Sequence, residues 1–248
     1  MLHDARTLSW PRTRALAASG AVALLPVGST EAHGPHLPLS VDVVIAEEVC
    51  RRASSRLRRD TVMFTEVAYA LTDFAAPFAG TVTLAADVAR AMLTGILTGI
   101  AHSGFSTIAV VNHHLEPAHF RVVHDAGKAA QAAFPSARVL VVDHRRAPIG
   151  PKLGHEFMHG GSHAGRYETA LMMAAAPHLV DEAARKALPT LEIDLPGAIK
   201  AGANDVLQCG GPDAYFGAPA DATVEEGERL FEILTEATVS LIESPPTP

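Results

Sequence analysis

Residues 26–42 of the chain carry four side chains of the kinds that bind metal ions in proteins. The segment reads PVGSTEAHGPHLPLSVD, and the four side chains are those of Glu31, His33, His36 and Asp42. Imidazole nitrogens and carboxylate oxygens are ligands of zinc, manganese and iron. A single histidine or acid in a loop is usually only solvated. Four of them in one segment constrained by prolines and glycines favour a metal site over a structural loop.

Two further groups of such side chains follow apolar runs that predict β-strands. Residues 112–116, Asn-His-His-Leu-Glu, come after the run that ends at Val111, and Asp143 and His144 follow the run that ends at Val142. Neighbouring parallel strands place their carboxyl ends at one edge of a sheet, where ligands bind in α/β folds. We therefore expect these side chains to converge with those of the first segment.

A histidine-rich segment, residues 155–168, lies further along the chain. It reads HEFMHGGSHAGRYE and adds His155, His159, His163 and Glu168 to the potential ligands and proton carriers. Glycines on either side of His163 would let the backbone approach a bound molecule closely.

Ser162 in the same segment supports a different hypothesis. Residues 160–164, GGSHA, loosely resemble the nucleophile elbow of serine hydrolases, which requires a strand immediately before its serine. The residues before Ser162 are polar and rich in glycine and histidine, so the match is weak. A serine-type hydrolase that uses Ser162 is kept as an alternative, and so is a metal-binding module without catalysis.

Strand-like apolar runs alternate with helix-like patterns along the chain. Strands are predicted at residues 21–25, 61–67, 106–111 and 138–142, and helices at residues 6–18, 43–59, 87–102, 117–134, 167–176 and 223–242. This alternation predicts a parallel sheet with helices on both faces. We expect one domain over residues 1–248, with residues 177–221 in loops and short pieces.

The composition argues against several classes of function. Of the 248 residues, 48% are hydrophobic and 19% charged, which suffices for a sizeable core. A net charge of −7 without a basic stripe argues against nucleic acid as a partner. The two cysteines, Cys50 and Cys209, predict neither a disulfide framework nor a thiolate zinc site. We see no pattern of a membrane span, a signal peptide or a glycine-rich nucleotide site, and we expect a cytoplasmic protein.

Several of these segments together resemble the creatininase (creatinine amidohydrolase) family. The resemblance is carried by residues 26–42, 112–116, 163–171 (HAGRYETAL), 177–180 and 217–227. It spans most of the chain, and its first motif is long and specific. The resemblance implies a three-layer α/β/α fold with a mainly parallel central sheet, a two-metal centre at the strand ends and a homo-oligomer, commonly a hexamer.

The resemblance also implies roles for individual residues. Glu31, His33, Asp42 and His114 match metal ligands, with Asp42 as the bridge between two ions, and His163 matches the catalytic histidine.

The last metal ligand is left open between two glutamates. Glu116 matches a ligand of creatininase itself, whereas Glu168 is the better match for relatives that carry Gly-Gly-Asn in the loop of Glu116. This chain has both residues. Glu116 is also a catalytic candidate alongside His163.

With the roles that the resemblance implies, we expect a binuclear metal-dependent amidohydrolase. Two divalent cations, with Zn²⁺ favoured over Mn²⁺ or Fe²⁺, would share Asp42 and a water, whose pKa they would lower toward 7 to give a bridging hydroxide. His163 would protonate the leaving nitrogen, and His36 could orient a ligand.

Departures from the family pattern argue against creatinine as the substrate. Leu115 stands where creatininase has an aromatic residue, and the only tryptophan, Trp10, lies far from the region before His163 where creatininase uses tryptophans. We expect the substrate to be a cyclic amide, a formamide or another small amide, and the family resemblance alone does not fix which. The expected pocket residues are Phe74, Phe78, Leu115, Phe157 and Tyr167.

Overall fold

The structure, a computed structural model, describes residues 1–145 and 148–245. At the centre of this described part lies a sheet of five parallel strands in the order β1-β3-β2-β4-β5. The strands are β1 (Leu2–Asp4), β2 (Val22–Val27), β3 (Thr61–Met63), β4 (Thr107–Asn112) and β5 (Arg138–Val142). β2 and β4 are buried along their whole length, as expected of strands covered on both faces.

Helices connect the strands and cover both faces of the sheet. They are α1 (Trp10–Ala18), α2 (Val41–Arg56), α3 (Ala86–His102), α4 (Pro117–Ala133), α5 (His155–Met158), α6 (Arg166–Ala175), α7 (Glu182–Ala187), α8 (Leu195–Lys200) and α9 (Val224–Glu243). Short 3₁₀ turns lie at Ala5–Thr7, Gly150–Leu153, Pro177–Leu179 and Pro219–Asp221. Within the described residues, no helix combines the length and the apolar character needed to cross a bilayer.

Two apolar cores separate the sheet from its helices. Val22 and Leu24 of β2 enter one core together with α2, α6 and α9, whereas Ala23 and Leu25 enter the other together with α1, α3 and α4. The side chains divide in this way because successive residues of a strand point to opposite faces. The predicted three-layer α/β/α architecture with a parallel central sheet is confirmed.

The element boundaries differ from the predicted ones in several places. β1 was not predicted, because three residues at a sheet edge are too few to produce a pattern. β3 ends at Met63 rather than at Val67, which makes only an isolated bridge to Val27. Helix α2 begins at Val41, so Asp42 lies in its first turn and not in the preceding loop. An acid is favourable there, since the N-terminus of a helix carries partial positive charge.

Candidate metal centre

The loops that leave the carboxyl ends of β2 and β4 meet, because the two strands are parallel neighbours. Glu31 and His33 lie on the loop after β2, Asp42 in the first turn of α2, and His114 on the loop after β4. All four side chains are buried. The first two sequence segments therefore converge at one edge of the sheet, as predicted.

Gly28, the residue after β2, makes this arrangement sterically accessible. A Cβ atom here would lie 2.5 Å from the backbone nitrogen of Val43 and 2.7 Å from the carbonyl carbon of Asp42. Both distances are far shorter than the favourable separation of non-bonded atoms. Glycine therefore lets the end of β2 lie directly against the turn of α2 that carries Asp42.

The carboxylate of Asp42 stands between two histidines. Its Oδ2 atom lies 3.0 Å from Nδ1 of His114, and its Oδ1 atom lies 3.5 Å from Nε2 of His33. The Ser29 hydroxyl donates a hydrogen bond of 2.8 Å to Oδ2. Because its two oxygens face different imidazoles, the carboxylate is oriented as a bridge between two groups of donor atoms.

A further carboxylate accompanies each of the two histidines. On one side, Oε1 of Glu31 lies 3.4 Å from Nδ1 of His114, and the Thr72 hydroxyl donates to the other oxygen of Glu31. On the other side, Oε2 of Glu168, in the first turn of α6, lies 3.6 Å from Nε2 of His33.

The backbone at Ala164 holds Glu168 in place. Its N–H group donates a hydrogen bond of 2.7 Å to Oε2 of Glu168. With φ at +49°, this non-glycine residue occupies the left-handed region. Backbone strain of this kind is concentrated at functional sites, where the surrounding structure enforces it.

Contacts with backbone carbonyls fix the orientation of both imidazoles. Nδ1 of His33 lies 3.1 Å from the carbonyl oxygen of Glu31, and Nε2 of His114 lies 2.9 Å from that of Leu71. In a neutral ring these nitrogens carry the proton, which leaves Nε2 of His33 and Nδ1 of His114 with free lone pairs. Nε2 of His33 is buried and makes no hydrogen bond within the described residues, as expected of an atom that binds a cation.

The donor atoms form three overlapping groups, each with its atoms within 4.8 Å of one another. Over residues 1–145 and 148–245 the groups consist of Glu31, Asp42 and His114; of His33, Asp42 and Glu168; and of Glu31, His33 and His163. The first two groups share Asp42 and mix carboxylate with imidazole donors, as zinc and manganese sites do. The residues thus fit two neighbouring divalent cations with Asp42 between them.

Buried carboxylates give this cluster a negative charge that protons or cations must balance. Burial raises the pKa of Glu168 to about 8, although His33 opposes the shift. Burial alone would lower the pKa of His33, but its contacts with Asp42, Glu168 and Glu31 raise it to about 10. Burial also opposes ionisation of Asp42, yet the neighbouring imidazoles of His113, His114 and His33 hold its pKa well below the usual value. A bound cation would provide the same balance and displace the protons.

His163 lies where the cluster opens into a cavity. Its Nε2 atom lies 3.0 Å from the carbonyl oxygen of Ala32, and its Nδ1 atom lies 3.9 Å from Oε1 of Glu31. Burial and the neighbouring His33 lower the pKa of His163 to about 4, so the ring is neutral at pH 7. With Nε2–H donating to Ala32, Nδ1 can accept a proton.

Glu116 lies in the cavity wall rather than in the cluster. Its Oε2 atom accepts a hydrogen bond of 3.2 Å from the N–H of Phe74. It lies 3.9 Å from Nε2 of His114, which is the nitrogen turned away from Asp42. Glu116 belongs to none of the donor groups found among the described residues. Burial raises its pKa, so it keeps its proton to a higher pH than an exposed glutamate does.

A cavity of about 330 Å³ opens beside the cluster. The expected lining residues found in its wall are Phe74, Leu115 and Phe157. The expectation was wrong for Phe78, which packs in a small separate core. It was also wrong for Tyr167, which is buried with its hydroxyl 3.2 Å from Nε2 of His113. The exposed Trp10 lies outside this wall.

The side chains after β5 do not join the donor groups of the described residues. Asp143 pairs with Arg145 at 3.0 Å and with His124 at 3.4 Å, and His144 is buried beside Thr238. The predicted convergence is wrong for this loop. β5 lies two strand spacings, about 10 Å, from β2. Asp143 and His144, the first residues after β5, are therefore too far from the loop after β2 to join its donor groups.

His36 lies behind the cluster. Its Nε2 atom lies 2.8 Å from the Thr169 hydroxyl, next to Glu168 in α6. It therefore fastens the loop after β2 to α6 instead of contacting a candidate ligand.

The rest of the histidine-rich segment remains outside the cluster. His155, at the start of α5, and His159, which follows its end, are exposed, and their rings stack with centroids 3.9 Å apart. Glu156 between them accepts hydrogen bonds from the backbone N–H groups of Tyr167 and Ala218, at 2.9 and 2.8 Å. The segment holds the fold together beside the cavity.

Ser162 lies in a turn after α5, and the residues immediately before it form a helix and a turn rather than a strand. It lines the cavity, but the local backbone is not the strand–turn–helix arrangement of a nucleophile elbow.

His113, from the predicted segment 112–116, also reaches the centre, with its Nδ1 atom 3.7 Å from Oδ1 of Asp42. Two other residues of the centre were missed by sequence reasoning: Ser29 and Thr72, whose hydroxyls donate hydrogen bonds to the carboxylates of Asp42 and Glu31. Ser29 lies inside the first motif and could have been found there. Nothing local distinguishes Thr72, which reaches the centre from a loop far along the chain.

The chain is similar in sequence to known proteins. A family model described as "Creatininase: Creatinine amidohydrolase" matches residues 6–242. The mycofactocin precursor peptide peptidase of Mycolicibacterium smegmatis is 30% identical over 215 residues, covering 84% of this chain and 78% of that protein. The creatinine amidohydrolase of Pseudomonas putida is 27% identical over 188 residues, covering 70% of this chain and 72% of that protein.

Solved structures share the fold. One named "Creatininase Mn" is similar with a TM-score of 0.77 at 22% identity, covering 98% of this chain and 99% of the other. A mutant creatininase of "Zn-Zn type" is similar with a TM-score of 0.76 at 23% identity, covering 98% of each chain.

Proposed function

Because the chain belongs to the creatininase family, we propose that it is a binuclear metal-dependent amidohydrolase that cleaves a C–N amide bond. Relatives named as a precursor peptide peptidase and a creatinine amidohydrolase support this reaction class. The observation that carries the binuclear part is the position of Asp42, whose two oxygens face His114 and His33 separately.

We assign the ligands of the two cations from the donor groups. One ion would be held by Glu31, His114 and Asp42, and the other by His33, Glu168 and Asp42. Zn²⁺ and Mn²⁺ are favoured by the names of the similar structures, with Fe²⁺ as a further alternative. When bound, the ions would acidify a water molecule and polarise the amide carbonyl. Ser29 and Thr72 keep the carboxylates oriented for binding.

The protein's own proton carrier in this proposal is His163. The neutral ring takes up a proton at Nδ1 as water adds to the amide carbon, and delivers it to the nitrogen that leaves. The contact between Nε2 and the Ala32 carbonyl keeps Nδ1 aimed at the cluster. Glu116, in the cavity wall, is placed to hydrogen-bond the substrate or share in proton transfer.

The substrate in this proposal is a small-molecule amide other than creatinine. Leu115, in the cavity wall, takes the place of an aromatic residue of creatininase, and tryptophan is absent from the part of the cavity lining that is described. The machinery for hydrolysis is therefore kept while the surroundings of the substrate differ.

Metal removal and reconstitution test the proposal. Protein stripped with a chelator and reloaded with Zn²⁺, Mn²⁺ or Fe²⁺ is assayed on cyclic amides, formamides and short peptides. We expect turnover only after reloading, with about two ions per chain by elemental analysis. Activity that resists the chelator and is lost in Ser162→Ala would favour the serine hydrolase. Full metal loading without turnover across the panel would favour the non-catalytic module.

A matched pair of variants tests the ligand assignment. Glu168→Gln should lower the metal content, because it weakens one of the two groups. Glu116→Gln should keep both ions and slow turnover. Metal loss from the Glu116 variant alone would reverse the assignment.

Two broader predictions belong to the same proposal. The family resemblance implies a homo-oligomer, commonly a hexamer, which light scattering in solution can measure. A cytoplasmic location stays a prediction from the sequence.

A further inference from the structure

The cavity beside the metal cluster is apolar away from the cluster. Its wall includes Phe74, Leu115, Phe157, Leu195, Val206 and Phe216. Ligand pockets are about 300–1,000 Å³ in volume, so a cavity of about 330 Å³ accepts a single small group rather than an extended chain. A wall of aromatic and branched side chains favours an apolar occupant.

Backbone hydrogen bonds hold the apolar wall at a fixed position relative to His163. Val206 and Phe216 are fully buried in a small core of their own. The Val206 N–H donates to the carbonyl of Phe74 at 2.9 Å, and the Phe216 N–H donates to the carbonyl of His163 at 2.9 Å. The wall and His163 therefore keep a fixed separation, as a specificity pocket requires.

Two large apolar side chains stand at the mouth of the cavity. Ile199 of α8 is 44% exposed and Met158 of α5 is 47% exposed, and both line the cavity. A single exposed apolar residue needs no explanation. Two exposed apolar residues that line the same cavity extend its apolar surface to the exterior of the protein.

The charged lining residues away from the cluster are already engaged. The guanidinium of Arg145 contacts both oxygens of Asp143, at 3.0 and 3.1 Å, and lies over the ring of Phe120. Glu116 accepts the N–H of Phe74. The described lining is therefore better suited to an apolar group than to a charged one.

We propose that this cavity binds an apolar group, aromatic or branched aliphatic, attached to one side of the scissile amide. Ile199 and Met158 act as specificity-determining residues at its mouth. The inference rests on the proposed amidohydrolase function and narrows it. Amides whose substituents are no larger than a methyl group leave the wall uncovered and are poor substrates.

Turnover of two amide series tests the preference on zinc-loaded protein. One series varies the acyl side (acetamide, isovaleramide, phenylacetamide), and the other varies the amine side (N-methylformamide, N-benzylformamide). We expect kcat/KM to rise by about 10- to 100-fold from the smallest to the aromatic member of one series.

Binding of the products gives a readout that does not depend on turnover. Calorimetry on the same zinc-loaded protein compares phenylacetate with acetate, and benzylamine with methylamine. We expect the aromatic member of one pair to bind at least about 10-fold more tightly. Ratios near one for both pairs overturn the proposal, whatever the turnover. A clear preference without hydrolysis of any amide supports the apolar site and contradicts the proposed function.

A matched pair of variants locates the preference at the mouth. Ile199→Ser should weaken binding of the aromatic product by at least about threefold. Leu207→Ser, which changes an equally exposed residue (46%) outside the lining, should not alter it. Equal effects of the two variants would remove Ile199 from the proposal. Light scattering tests the alternative that Ile199 lies between subunits: loss of assembly without a change in preference overturns its assignment.

Discussion

The two ends of the cavity are built in opposite ways. The end with the candidate metal ligands consists of buried polar side chains that follow two adjacent strands or begin two helices, α2 and α6. The far wall consists of apolar side chains, many of them from residues 191–216. This segment, which is described throughout, contains one α-helix, the six-residue α8. One end is fixed by the sheet, and the other by a small separate core.

This difference separates reaction class from substrate choice. The sheet fixes the positions of its strand ends relative to one another. Candidate ligands placed at those ends therefore have fixed relative positions as well. The wall is attached to the site by a few backbone hydrogen bonds and can change its side chains without moving a ligand. Changes at the cluster should therefore abolish hydrolysis, whereas changes in the wall should alter selectivity.

The largest expected effect comes from Asp42→Ala. Removal of the shared carboxylate should cost both metal ions and all measurable turnover, because it weakens both donor groups at once. Elemental analysis and activity assays measure the two losses. Asp125→Ala, which removes an exposed carboxylate from α4, is the control and should keep both properties. An Asp42 variant that still holds two ions per chain would disprove the bridge.

A smaller effect is expected for His163→Ala. Turnover should fall by roughly 10²- to 10⁴-fold, the usual contribution of a positioned proton carrier, while the metal content stays unchanged. His159→Ala changes a neighbouring exposed histidine and should be neutral. If His163→Ala loses metal instead, the ring is a ligand, as its group with Glu31 and His33 would also permit.

The smallest effect is a change of stability with pH. The folded-state pKa of His33 lies near 10, above its unfolded value, so its protonation stabilises the metal-free protein fully below about pH 6.5 and this contribution is lost as the pH rises toward 10. The raised pKa of Glu168, about 8, acts in the same direction. Metal-loaded protein, whose ligands are already deprotonated, should escape this loss.

Thermal unfolding measures that difference. The gap in Tm between zinc-loaded and chelator-treated protein should widen between pH 6.5 and 9.5. Asp42→Ala, which should bind no metal, should show no gap at any pH. A constant gap in the native protein would mean that the cluster does not exchange protons for cations.

The convergence of the candidate metal ligands could be predicted from the sequence because most of them lie close together along the chain. Glu31, His33 and Asp42 share one motif, and the apolar run before them identifies the strand that positions them. The same reasoning failed for Asp143 and His144. The sequence indicates that their strand is parallel to the others, but it does not give the position of that strand in the order of the sheet.

The apolar wall could be predicted only in part. Phe74, Leu115 and Phe157 were expected there, but Phe216 and Val206 were not. Phe216 and Val206 reach the cavity because segments far apart in the sequence contact each other. Residues 191–216 show no periodic pattern from which such contacts could be predicted. Phe78 and Tyr167 were wrongly included for the same reason, because an aromatic residue near a motif can equally be packed elsewhere.

Gly28 has no donor atom in its side chain, yet any attempt to redesign the centre must treat it as one of the fixed positions. A methyl group there would collide with the backbone of Asp42 and Val43 and move the first turn of α2 as a block. A mutagenesis library directed only at the charged residues would overlook it. A screen for lost metal uptake over the whole gene should instead recover substitutions at this glycine together with those at the ligands.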